Sequence, residues 1–535
     1  MLSVKNLFHM TELSFTWIDW AVVALYMAFT TWLGHKLSGQ QSSIRDFFLG
    51  GRTLPWWAVC GSIIATEISA LTFIGVPGGV CAAKGDWTYL QWGIGSIIAR
   101  FIVGYFLVPL YYKKEIYSPY DFMGERLGEG VRRLVTVLFS LGAILGQSVR
   151  VLVTAIILQV VTGISPEWCI IIIGLFAIGW AVMGGMQTVI WTDVIQFCLF
   201  IFGGLLAFIW LYSTLGWEQI SALNMVETEG GVIDKMKIFD FATPFSDPRV
   251  KFTFWVGVIA MPFQNVTAFG VDQLATQRIF CCRNEKEARL AITWSSVSIL
   301  ITLLMLAVGS GLFAWYQVHT PSPEFQALFD DDTNNIFPTW IATVLPVGLS
   351  GLILSGAFAA AISSLDSILA ALSQTSLSII MGREKMEAEA GSAEMVKLSR
   401  IGVVIWGVLL SAASILMWYL YKADPEGNNL IGLAFGMVAY TFGPLLGILV
   451  ASLLPWRSHL VGLVIGCVGS ILLVAWFRPE LPNLLNFMGL ANASEFLIET
   501  RPELTSEWFF PINALITLTC GLIVGIIRGS EGSPK

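Results

Sequence analysis

The sequence predicts an all-α polytopic membrane protein, with about 13 transmembrane helices built around a five-plus-five inverted repeat. Three observations predict it. Of 535 residues, 56% are apolar and only 13% charged, about half the charge of a soluble domain. Stretches long and apolar enough to cross a bilayer, roughly 20 residues each, recur along the whole chain. Two of them are interrupted by glycine, proline and polar residues at membrane depth, and they stand five spans apart.

In chain order the expected spans are 15–35, 56–82, 88–112, 133–162, 167–186, 188–215, 252–272, 288–316, 339–381, 400–421, 428–455, 459–477 and 508–528. The ninth is too long for one crossing, so its part before Pro346 reads as an external re-entrant or interfacial segment. The first interruption runs from Glu67 to Gly79; the second holds Gly257, Pro262, Gln264, Asn265, Thr267 and Gly270. Irregular backbone at such depth is tolerated only where it lines a cavity or is buried in protein, and a matched pair of broken helices is the best sequence pointer to a transporter's binding site. Five is odd, so the second set of helices enters the membrane in the opposite sense. The expected organisation is an extra helix and loop (1–55), a first repeat (56–215), an extracellular loop (216–251), a second repeat (252–455) and two closing helices (456–535).

Charge fixes the orientation. With the N-terminus outside and the C-terminus cytoplasmic, cytoplasmic segments collect 19 of the 30 lysines and arginines, including Arg278 and Arg283. That is the positive-inside bias of a cell or inner membrane. Acidic residues lean outward, as in Asp330-Asp331-Asp332. The run from Phe15 to Leu33 is long and lacks a small-residue exit, which argues for a span over a signal peptide. No basic patch suggests nucleic acid, and no obligate protein partner is evident. The eight cysteines sit in apolar stretches without C-x-x-C spacing, which indicates neither a zinc site nor a redox motif. The four histidines fall at loops or helix ends, so an enzyme is not expected.

Ionisable residues inside the membrane are functional candidates by default. With interfacial Asp19 set aside, they are Glu67, Arg100, Arg150, Asp193, Asp272 and Asp366, of which Arg100 and Asp272 read as structural. The stretch Ser363-Ser364-Leu365-Asp366-Ser367 is dense in side-chain oxygens, and Ser363 and Ser367 share a helix face. A hard cation wants several oxygens. A broken facing helix adds free carbonyls, for example those of Ala65 and Ile68. A sodium site therefore competes with the plainer reading, in which each serine bonds back to its own helix.

These residues, with Phe47-Phe48-Leu49-Gly50-Gly51-Arg52, Gly184-Gly185-Met186, Trp191-Thr192-Asp193-x-x-Gln196, Asp272-Gln273-x-x-x-Gln277-Arg278 and Phe442-Gly443-Pro444-Leu445-Leu446-Gly447, carry a resemblance. The chain resembles the sodium/solute symporter family over nearly its whole length, and most of all its sialic acid and monocarboxylate members. The resemblance implies a leucine-transporter-like inverted-repeat fold and a sodium-driven carrier of a small polar organic solute. It implies a shared sodium site at Ala65, Ile68, Ala360, Ser363 and Ser364. A second sodium in some members implies Asp193, Ser363, Asp366 and Ser367; the sialic acid transporter has serine at the position of Asp366, and the carboxylate here either strengthens such a site or replaces it with an ion pair.

For the solute, the resemblance aligns Ser69, Thr72, Gln91 and Arg150 with residues that hold sialic acid, and Asn265 with a sugar-binding asparagine. Ala268 stands where the galactose transporter has its gating tyrosine. Arg150 lies near the middle of its span, where it cannot easily snorkel, and arginine suits a carboxylate. Glu67 is expected beside the same cavity, where pairing with Arg150 would favour a neutral or zwitterionic solute. The expected solute is thus a carboxylate such as sialic acid or a monocarboxylate, with a neutral sugar or polyol as the alternative. An ion channel and a transporter-like sensor are the readings from other classes. No repeated pore loop supports the first, and the second lacks its usual appended signalling domain.

Overall fold

A computed structural model describes residues 15–37, 50–114, 116, 118–183, 186–228, 231–245, 247–381, 393–423, 430–456, 458–501 and 503–528. Among them, eight helices are long and apolar enough to cross a membrane, from Thr88–Lys113 to Ser506–Arg528. A ninth crossing is a bent pair, Trp56–Glu67 and Leu71–Cys81, which meet at 59°. Shorter apolar helices lie within Trp17–Leu37, Pro166–Met183, Val256–Gly270 and Leu349–Met381. The sequence expectation is about 13 helices; the described residues hold eight such spans, one bent pair and these shorter apolar pieces.

The bend has a local cause. Ile68 leaves the helix with ψ 112, so the carbonyls of the last turn lose their intrahelical donors. Chain direction is recovered through one π-helical turn, Leu71–Gly75, and a short helix, Val76–Cys81, with Pro77 in its first turn, where a missing N–H costs nothing. Gly78 is required there, because a Cβ would sit 2.8 Å from Asn334 Oδ1 and 3.1 Å from the Thr333 carbonyl.

The second expected interruption differs. A π-helical turn, Val256–Ala260, runs directly into the helix Met261–Gly270, with Pro262 harmlessly in its first turn. The helix stops only after Gly270, and Asp272 caps the next one, Gln273–Ile279, by accepting from Leu274 N at 2.7 Å. Gly257 serves packing: a Cβ on it would meet the Gln91 carbonyl at 2.5 Å, and one on Gly95 would meet the Gly257 carbonyl at 2.5 Å. Gly257, which suggested a break, and Gly95 allow two helices to touch backbone to backbone.

The over-long ninth span divides as expected, into Ile336–Val344 and Leu349–Met381. Between them Gly348 takes φ +88. Asp19 on the first helix accepts from Gly348 N and Gly351 N at 2.7 and 2.9 Å, tying that helix to the start of Leu349–Met381. The helices Met186–Leu215 and Glu129–Thr162 both pack against Leu349–Met381, and Trp56–Glu67 packs against Met186–Leu215. The loop after Leu215 forms an antiparallel hairpin, Met225–Thr228 with Gly231–Asp234. Lys235 at its end is buried and donates to the carbonyls of Val80, Ala82 and Gly85.

Candidate substrate and sodium sites

A central cavity of about 250 Å³ opens where the bent helix is interrupted. Thr66, Glu67, Ser69 and Thr72 line it from that helix, Arg100 from the next span and Arg150 from Glu129–Thr162. Gln264 and Asn265 close it from the helix Met261–Gly270 and Asp272 from the turn after it, with Tyr89, Trp92, Phe269, Phe435 and Phe442 supplying apolar wall. Five of the six expected substrate residues are brought together here: Glu67, Ser69, Thr72, Arg150 and Asn265. Gln91 is not among the lining residues. Its amide donates to the Thr88 and Phe252 carbonyls and accepts from Asp240 N at 3.0 Å, so it braces the backbone of the loop that holds Asp240.

Glu67 is not paired with Arg150. Its carboxylate bonds Arg100, which also donates to Ser96 at 2.7 Å and Ser298 at 3.2 Å and lies 4.3 Å above the Phe269 ring. Arg100, which reads as structural in the sequence, is 1% exposed and part of the cavity wall. The reason is geometric. Ser96 lies one turn before Arg100, and it holds the side chain along its own helix towards the break. A buried charge needs a partner, and Glu67, at the C-terminal end of the first half-helix, provides it.

That pairing changes the electrostatics of the cavity. Arg150 Nη1 donates to the Thr66 carbonyl at 2.7 Å and to Ser364 Oγ at 2.9 Å. Among the described residues, no carboxylate lies within ion-pairing distance of it. Asp272 also lines the cavity, but one of its oxygens serves as the helix cap. Ser69 accepts from Leu71 N at 3.3 Å within the break, and Asn265 spends Nδ2 on the Met261 carbonyl at 2.9 Å.

Of the residues expected to hold the shared sodium, the side chains of Ala65, Ile68 and Ser364 are described. Ala65, Ile68 and Ser364 are buried, and Ser364 Oγ reaches the Thr66 carbonyl at 3.5 Å. This is a set of neutral oxygens facing a positive group, a chemistry that suits sodium as cargo. The side chains of Ala360, Ser363 and Asp366 lie outside the described residues. So do Phe47, Phe48, Leu49, Gly184 and Gly185.

Deeper in the bundle, fully buried Asp193 accepts from Ser62 Oγ at 2.5 Å and from Arg278 Nη2 at 3.0 Å. Arg278 also donates to Ser62 at 2.9 Å, Ser367 at 2.9 Å and the Leu274 carbonyl at 2.7 Å. Arg278 had counted as a cytoplasmic charge; it is 1% exposed and ties Trp56–Glu67, Met186–Leu215 and Leu349–Met381 together. Sequence reasoning missed Ser62, whose signal was a polar residue one turn before Thr66 in an apolar run. Asp193 Oδ1 is buried without a partner among the described residues.

Comparisons with known proteins agree with this architecture. The model of the family described as "Sodium:solute symporter family" matches residues 47–466. The sodium/sialic acid symporter SiaT of Proteus mirabilis is 30% identical over 94% of this chain and 97% of its own. The sodium/glucose cotransporter of Vibrio parahaemolyticus is 27% identical, over 89% of this chain and 88% of its own. A solved structure of a Na+-coupled sialic acid symporter, in a substrate-bound outward-open state, superposes with a TM-score of 0.74 at 25% identity, covering 97% of this chain and 99% of that one.

Proposed function

Because the chain belongs to the sodium:solute symporter family, and is thereby a sodium-coupled solute symporter and not an enzyme, we propose that its solute bears a carboxylate, such as sialic acid or a monocarboxylate. The single observation that carries this reading is Arg150, a cavity-lining cation held, among the described residues, by a carbonyl and a hydroxyl, while Arg100 takes the nearby Glu67. Sialic acid symporters among the relatives support it. In this reading Arg150 grips the carboxylate, and Ser69, Thr72 and Asn265 meet the polar remainder. The ligands of the shared sodium are Ala65, Ile68, Ala360, Ser363 and Ser364. The protein works by alternating access in the cell membrane, as 13 helices with a five-plus-five core, with its N-terminus outside and its C-terminus cytoplasmic.

Energetics favours a second sodium. One sodium with a monoanion moves no net charge, so a tenfold gradient gives about 1.4 kcal/mol and roughly tenfold accumulation. A second sodium and 100 mV raise this to about 5 kcal/mol. The unpartnered Asp193 Oδ1 supports a site there with Ser363, Asp366 and Ser367. A second reading, a neutral sugar or polyol, draws on Asn265 in the cavity wall and on the sodium/glucose relative.

The test is sodium-dependent uptake and thermal stabilisation of the purified protein against sialic acid, short monocarboxylates, sugars and amino acids. One acid should stabilise the protein only with sodium, Arg150→Ala should abolish that effect, and Ser364→Ala should abolish sodium stimulation. Stabilisation by neutral sugars alone would remove the carboxylate role of Arg150.

A further inference from the structure

We propose that Arg150 is the resident cation of the sodium site when neither sodium nor solute is bound, so that a solute carboxylate admits sodium by drawing Arg150 away. The inference rests on the reading above, in which Ser364 ligates sodium and Arg150 takes the carboxylate.

The geometry begins with Thr66. It is the last residue but one of the half-helix Trp56–Glu67, so its carbonyl has no donor within that helix. Arg150 Nη1 supplies one at 2.7 Å and spends its other proton on Ser364 Oγ at 2.9 Å. Those two oxygens lie 3.5 Å apart. Oxygens at right angles around one hard cation, each about 2.4 Å from it, stand about 3.4 Å apart. One guanidinium nitrogen therefore spans a gap the size of a metal ion beside Ser364, the expected sodium ligand for which the two cations compete.

Charge makes the two occupants exclusive. A guanidinium stays protonated, so Arg150 leaves the site only by moving. While it remains, an entering sodium meets a like charge and must share donors already used. Glu67 cannot draw it off, because Arg100 holds that carboxylate. A solute carboxylate can, since a paired bond from guanidinium to carboxylate is stronger than bonds to a carbonyl and a hydroxyl. Once Arg150 turns to the solute, Thr66 and Ser364 are released and the local charge falls. Coupling of this kind is reciprocal: sodium raises the affinity for solute by the factor that solute raises the affinity for sodium.

The prediction runs against intuition, because removing a solute-binding arginine should improve sodium binding. Sodium affinity is measured by titration calorimetry on the purified full chain without solute, for wild type, Arg150→Gln, Arg150→Lys and Ser364→Ala. Arg150→Gln is expected to bind sodium on the order of tenfold more tightly than wild type, within the usual range of couplings. Arg150→Lys, which keeps the charge on a shorter arm without the fork, should move the same way by less, and it serves if the glutamine variant does not purify. Structural damage does not produce a gain in affinity. Unchanged or weaker sodium binding in both arginine variants, with binding lost in Ser364→Ala, would overturn the exchange and leave the sodium site standing. Wild-type sodium affinity in Ser364→Ala would sink the site itself, and the exchange with it.

Discussion

Glu67 and Arg100 form an ion pair at the wall of the central cavity, with the arginine 1% exposed and the glutamate 29% exposed. The pair joins the C-terminal end of the first half-helix to the neighbouring span just where the chain bends. It also sets the sign of the cavity, because the carboxylate closest to the break is already neutralised.

Removing one member leaves the other charge buried. Glu67→Gln is expected to destabilise the protein by about 3 kcal/mol, the usual cost of orphaning a buried charge. The double variant Glu67→Gln with Arg100→Gln should recover part of that loss. Thermal unfolding of the two singles and the double forms the cycle; strictly additive losses would mean that the pair does not act as a unit.

Asp193 offers a second measurement. If its unpartnered oxygen takes a second sodium, the sodium dependence of uptake should show a Hill coefficient approaching 2 in wild type. Asp193→Asn should reduce it towards 1 while sparing the site at Ser364. A wild-type coefficient of 1 would leave Asp193 as the partner of Arg278 alone.

Lys235 anchors the hairpin after Leu215 to the end of the bent helix through three carbonyls and lies 4.5 Å above the Phe313 ring. Lys235→Met should cost about 2–4 kcal/mol, since hydrogen bonds from a charged group are worth about 1.5–3 kcal/mol each and the variant recovers some apolar packing. Burial pulls its ammonium below the usual lysine value, so the folded state holds the proton less firmly than the unfolded chain. The resulting penalty is full below the folded pKa and fades as pH rises towards the unfolded value. Wild type should therefore gain stability relative to Lys235→Met as alkaline buffers cross that window. A difference independent of pH would argue that Lys235 does not titrate differently in the fold.

Gly257→Ala should be costly although alanine favours helices. Its methyl would meet the Gln91 carbonyl at 2.5 Å, and backbone cannot yield as a flexible side chain does. About 1–3 kcal/mol of overpacking is expected, seen as a lower melting temperature. The same change at Gly179, where nothing lies within 4 Å, is the control and should be near neutral.

The sequence by itself determined the membrane class, the recurrence of apolar helices, an interruption between Glu67 and Gly79 and a division of the ninth span at Pro346. Apolar length and misplaced polar residues are local properties, readable one segment at a time. It also determined family membership, because the motifs lie along the chain. Pairing could not be read in this way. Glu67 had two arginines within plausible reach, Arg100 and Arg150, and only the packing of the spans brings one guanidinium to it and turns the other towards Ser364. Gln91 looked like a ligand because the family resemblance aligned it with residues that hold sialic acid, yet tertiary contact with Phe252 and Asp240 takes up its amide. Arg278 looked cytoplasmic because charges at span ends usually are; Asp193, 85 residues away, draws it into the bundle. Electrostatic partners are chosen by distance in space, and the fold alone fixes that distance.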